Sequence, residues 1–137
     1  MPYKFLEHTA DVKFQASGSS IEEAFISAAE ALNETIRGKI KILEQEEKEI
    51  KTAGKDLEAL LYNFLEEFIY LLDAECFLVN KIKSIEINQE NFTLKATLLG
   101  DKATNYKFTN DVKAVTYSQM FVKKEKNKFT VQAVLDV

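Results

Sequence analysis

The sequence predicts an α+β fold: two helices packed on an antiparallel or mixed β-sheet, a single-domain α/β sandwich over residues 1–137. Two windows in the first half carry apolar residues at helical spacing, while the runs after Cys76 alternate with period two. Helices come early and strands late, without the regular alternation of βαβ units. A length of 137 residues suits one domain with a real core, and ten Phe with five Tyr supply bulky material for it.

The first strands are expected over Tyr3 to Leu6 and over Val12 to Ala16, where Val12, Phe14 and Ala16 alternate with Lys13 and Gln15. Gly18 closes the second. Ser19 and Ser20 stand three residues before Glu22 and Glu23, the spacing of a capping box, and the acids complement the positive end of the helix dipole. Ile21, Ala24, Phe25, Ala28, Leu32 and Ile36 then form one apolar stripe, which Gly38 can end.

Residues 39–52 mix Lys and Glu with scattered Ile and Leu, and read as one or two exposed strands joined by an acidic turn. Asp56 can cap a second helix running to about Leu72, with a wide apolar face from Leu57 through Phe64 and Phe68. At 100° per residue, Glu66 points away from that face, whereas Glu67 falls on its margin beside Leu60. Strands are expected over Ile82–Ile87, Phe92–Leu99, Val112–Tyr117, Met120–Val122 and Phe129–Leu135. Residues 88–91, 100–110 and 124–128 separate them as turns and loops.

Several function classes drop out. No apolar run approaches the ~20 residues of a membrane span, and the N-terminus lacks the regions of a signal peptide, so a cytoplasmic location is expected. The lone Cys76 sits beside Glu75, which disfavours its thiolate, and it has no partner for an internal disulfide. A net charge of −4 argues against a strong direct grip on nucleic acid, and Lys123, Lys124, Lys126 and Lys128 read as a solvated turn. Phosphate-cradling glycine loops, CxxC and HExxH spacings are absent, and the single His8 meets no serine in a nucleophile-elbow context.

What remains is oxygen chemistry at the two ends. Glu7-His8-Thr9-Ala10-Asp11 lies between two elements, where side chains can converge, and the chain closes with Leu135-Asp136-Val137. If the ends meet, Asp11, Asp136 and the Val137 carboxylate, with Glu67 as a further candidate, offer hard ligands for calcium, magnesium or manganese.

His8-Thr9-Ala10-Asp11-Val12, Ser20-Ile21-Glu22-Glu23-Ala24-Phe25, the run from Leu60 to Leu71, Val112-Lys113-Ala114-Val115-Thr116-Tyr117 and the closing Asp136-Val137 together resemble the archease family, in order through the whole chain. The resemblance implies a non-catalytic protein that helps an RtcB-type RNA ligase of tRNA splicing and RNA repair become guanylylated and complete many turnovers. It implies that Asp11 and Asp136 match the family's metal-binding aspartates, completed by Val137, with calcium the first expectation and magnesium or manganese the alternatives. Glu67 matches the helix acid, Lys113 the lysine of the KAxTY segment, and His8 a residue that can orient the Asp11 loop. Two positions depart from the family pattern: 105–108 lack a histidine, and Ser118 stands where many members carry one, which weakens any proton-shuttling role. A chaperone-like modulator of a tRNA methyltransferase is the alternative, and a metal-dependent hydrolase the more distant one, for want of a suitable general base.

Overall fold

The computed structural model describes residues 2–7, 11–110 and 112–137. Along the chain run β1 (Tyr3–Leu6), β2 (Asp11–Gly18), α1 (Ile21–Arg37), β3 (Glu46–Ala53), α2 (Leu57–Glu75), β4 (Phe77–Asn88), β5 (Thr93–Lys102), a short 3-10 turn (Ala103–Asn105), β6 (Ala114–Glu125) and β7 (Lys128–Asp136).

Both helices start where their caps say they should. The Ser20 hydroxyl accepts from the Glu23 N–H at 3.1 Å, and the Glu23 carboxylate reaches back to the Ser19 N–H at 2.8 Å, one residue before the cap itself. Asp56 accepts from the Ala59 N–H at 2.7 Å to open α2. That helix runs past Leu72 to Glu75 and stops where Cys76 turns left-handed at φ 52°. Ala24, Ala28, Ala29 and Ala31 of α1 are buried, which lets neighbouring elements approach its axis closely, and Phe25 stacks on Phe64 of α2 with ring centroids 5.7 Å apart. Phe64 in turn meets Phe68 edge-on at 5.2 Å. Emptying a fully buried Phe position of this kind costs about 3–5 kcal/mol.

The strands divide into two sheets, ordered β1-β2-β7-β6 and β3-β5-β4, with every pairing antiparallel. α1 packs on β2, β7 and β4, and α2 on β6, β3 and β4, so the helices join the two sheets through one core.

Four expectations are corrected. The strands expected over Val112–Tyr117 and Met120–Val122 are one strand, β6. Its polar stretch bulges with Gln119 at φ 55° and pairs again with β7 from Phe121. The segment 39–52 is not simply exposed: Ile42 and Ile50 are buried, and only Glu46 onward is strand. Its irregular part is held by Leu43 N–H donating to the Tyr106 hydroxyl at 2.9 Å and by Asn80 donating to the Ile42 carbonyl. β4 begins at Phe77 rather than Ile82, because Phe77, Leu78 and Val79 are buried in succession and carry no period-two signal. β5 likewise extends to Lys102, into the expected loop. Among the described residues, no helix is long and apolar enough to cross a membrane.

Candidate acidic site at the strand ends

Strand register brings the two ends of the chain together. Asp11 is the first residue of β2 and stands directly opposite Asp136, the last of β7, and Asp136 stands opposite Ala114 of β6 on its other side. Directly opposed residues in an antiparallel pair have Cβ atoms about 4.5–5.5 Å apart on one face. The neighbouring pair Val12 and Leu135 faces the core, so period-two alternation turns both carboxylates to the outer face, where Asp136 is exposed. Opposed like charges are unfavourable unless something positive lies between or beside them.

The outer face carries a polar chain beyond this pair. Lys13, two residues from Asp11, donates to the Gln119 side chain at 3.1 Å. Gln15 donates to Gln132 at 2.9 Å, and Gln132 donates to the Gln119 carbonyl at 2.7 Å. The β6 bulge is thereby fastened over the face that bears the acids. Lys113 immediately precedes β6: its backbone N–H donates to the Asp136 carbonyl at 2.7 Å, and the residue is exposed.

The helix acids divide differently from the wheel expectation. Glu66 does not point away from the packed surface; its carboxylate accepts from the Val115 N–H at 3.2 Å, beside the Ala114–Asp136 pair. A single-face wheel fails here because α2 packs on both sheets, so its second side is also a contact side. Glu67 is half-buried and lines a shallow pocket with Thr52, Asn63 and Tyr70. Burial, reinforced by the charge of Glu75, pushes its carboxyl above the ordinary value. Sequence reasoning missed Glu66, and with it Tyr62 and Tyr117, whose rings stack at 4.2 Å and 5°. The signal available was the four-residue spacing of Glu58, Tyr62 and Glu66 along one side of α2.

His8 lies outside the described residues. Among the described residues, no three His, Cys, Asp or Glu side chains form a metal-holding group. What the strand register opposes is two aspartates, Asp11 and Asp136. Their chemistry is all hard oxygen, which fits calcium, magnesium or manganese and not a thiophilic metal.

Comparison with known proteins agrees over nearly the whole chain. Residues 3–137 match the model of the archease protein family. The archease of Methanosarcina mazei is 35% identical over 98% of this chain and 95% of its own length. That of Sulfolobus acidocaldarius is 36% identical over 98% of both. Among solved structures, Methanobacterium thermoautotrophicum protein 1598 superposes with a TM-score of 0.84 at 30% identity, covering 99% of both chains. A crystal structure from Thermotoga maritima, described as an archease and possible chaperone, superposes at 0.67 with 25% identity, covering 98% of this chain and 96% of its own.

Proposed function

This chain belongs to the archease family, and on that premise we propose that it is a non-catalytic, metal-binding helper of an RtcB-type RNA ligase, promoting the ligase's guanylylation and repeated turnover in tRNA splicing and RNA repair. The observation that carries the reading is the opposition of Asp11 and Asp136 across β2 and β7 at an exposed sheet end. Two carboxylates held together in this way favour a shared cation, and they can be presented to another protein as one rigid unit.

In this reading Asp11, Asp136 and oxygens of Val137 hold a divalent cation, calcium first, which when bound supplies charge neutralisation and a Lewis acid. The remaining residues position that unit. β7 fixes Asp136 between its neighbours, and Glu66 tethers the adjoining strand. Lys113 offers a cation for phosphate beside the acids, and Glu67, whose carboxyl burial raises above its ordinary value, a further acid on the helix. An acidic surface repels an RNA backbone, so action through the ligase is favoured over direct RNA binding. The description of the Thermotoga maritima structure as a possible chaperone supports a service role toward another protein rather than catalysis.

The test is a reconstitution. Added to a cognate ligase with GTP and manganese, the protein is expected to raise both the guanylylated fraction and the number of joining cycles, and to join no RNA by itself. Stimulation of a tRNA methyltransferase with no effect on the ligase would favour the modulator reading instead.

A further inference from the structure

A second cavity, of about 420 Å³, opens between β1, the C-terminal half of α1 and β4. It shares no residue with the acidic strand ends. That volume falls in the range of small-ligand sites. Its frame is fixed. Arg37 donates from Nε to the Val79 carbonyl at 3.2 Å and from Nη1 to the Ile40 carbonyl at 2.9 Å, while the Tyr3 hydroxyl donates to Glu34 at 3.2 Å.

Two polar groups in this cavity are not used by the frame. Asn33 is only 7% exposed, and no partner is found for its side-chain amide among the described residues. Leaving a buried amide unpaired costs about 1–3 kcal/mol, so a group of this kind in a cavity wall marks a place where something else binds. One turn earlier on the same face, Glu30 brings to the mouth a carboxylate with no ion-pair partner among the described residues. Ile26, Ala29 and Ile82 supply apolar wall, and the exposed Lys39 and Lys81 stand at the rim.

We propose that this cavity binds a guanine nucleotide. A carboxylate accepts two parallel N–H bonds from a ring that carries them side by side, and guanine does so at N1 and its exocyclic amine. The neighbouring O6 then accepts from the Asn33 amide. Lys39 and Lys81 are free enough to meet the phosphate, since their present partners, Glu34 at 3.9 Å and Glu44 at 3.6 Å, are surface pairs of little energetic worth. Adenine fails this arrangement because its N1 is an acceptor and would face the carboxylate.

Calorimetric titration of the full chain with GMP, IMP and AMP tests the assignment. GMP is expected to bind one to one, IMP about tenfold more weakly for lack of the exocyclic amine, and AMP more weakly again. Glu30→Gln, at the exposed mouth, should weaken GMP binding about tenfold at unchanged Tm. Asn33→Leu should also weaken it, at unchanged or raised Tm because the unpaired amide is gone. Absence of heat with all three nucleotides, equal affinity for GMP and AMP, or full GMP affinity in Glu30→Gln would each overturn the proposal; Glu30→Gln decides even if Asn33→Leu misfolds.

Discussion

The Glu66 carboxylate accepts a hydrogen bond from the Val115 N–H at 3.2 Å, and eight residues earlier on the same helix Glu58 accepts one from the Val122 N–H, also at 3.2 Å. Both N–H groups belong to β6, which is the edge of its sheet. An edge strand exposes unpaired donors that invite other chains, and here two helix acids occupy them while Tyr62 stacks on Tyr117 between. The helix therefore fastens the strand that runs beside Asp136 and follows Lys113.

Removing either acid should loosen that edge. Glu66→Ala and Glu58→Ala are each expected to cost about 1 kcal/mol in denaturant unfolding. Hydrogen exchange should speed at Val115 in the first variant and at Val122 in the second. Unchanged exchange at both amides would show that the helix does not hold the strand.

Opposed aspartates give a stability signature of opposite sign. Without divalent cations, Asp136→Asn should be more stable than the parent by up to about 1 kcal/mol, because it relieves a like-charge cross-strand pair. Added calcium should raise the Tm of the parent and leave that of Asp136→Asn or Asp11→Ala nearly unchanged. A calcium-induced rise of equal size in all three would remove these carboxylates from the metal site.

Acid stability should depend on Tyr106. Its hydroxyl donates to buried Asp101 at 2.7 Å and, with the Lys102 N–H and Asn105, holds that carboxyl below its ordinary 3.8. A lowered native value stabilises the fold above the unfolded pKa and is lost as pH falls through the native one. Tyr106→Phe removes the largest cause of the lowering, so its acid-unfolding midpoint should lie at higher pH than the parent's. It also frees the Leu43 N–H, which should exchange faster.

Gly100 tests the closeness of β4 and β5. A Cβ there would run into the Leu78 carbonyl oxygen and within 2.8 Å of the Phe77 ring. Gly100→Ala is expected to destabilise by about 3 kcal/mol, read as a drop in the denaturation midpoint. A change below about 0.5 kcal/mol, the scale of a neutral surface substitution, would contradict the packing described.

The legibility of these features in the sequence follows from how locally each is encoded. Ser20, Glu23 and Asp56 announce helix starts because a cap is satisfied within three residues. The meeting of Asp11 and Asp136 could be anticipated, since each borders an apolar strand whose burial carries it along. Glu66 could not be read from a wheel, because which sides of α2 are covered is decided by two sheets formed elsewhere in the chain. The β6 bulge was hidden for a similar reason: Ser118 and Gln119 look like a break between two strands locally, and partners distant in sequence, Gln132 at the Gln119 carbonyl and Lys13 at its side chain, keep them in one strand.

The most direct measurement is multiple-turnover RNA joining by a cognate ligase with the parent protein or with Asp136→Ala, at matched concentration and with the variant's Tm checked. The parent is expected to sustain many cycles, while Asp136→Ala, folded, leaves the ligase near its unassisted level. Full stimulation by Asp136→Ala would contradict the claim that the acidic strand ends act on the partner.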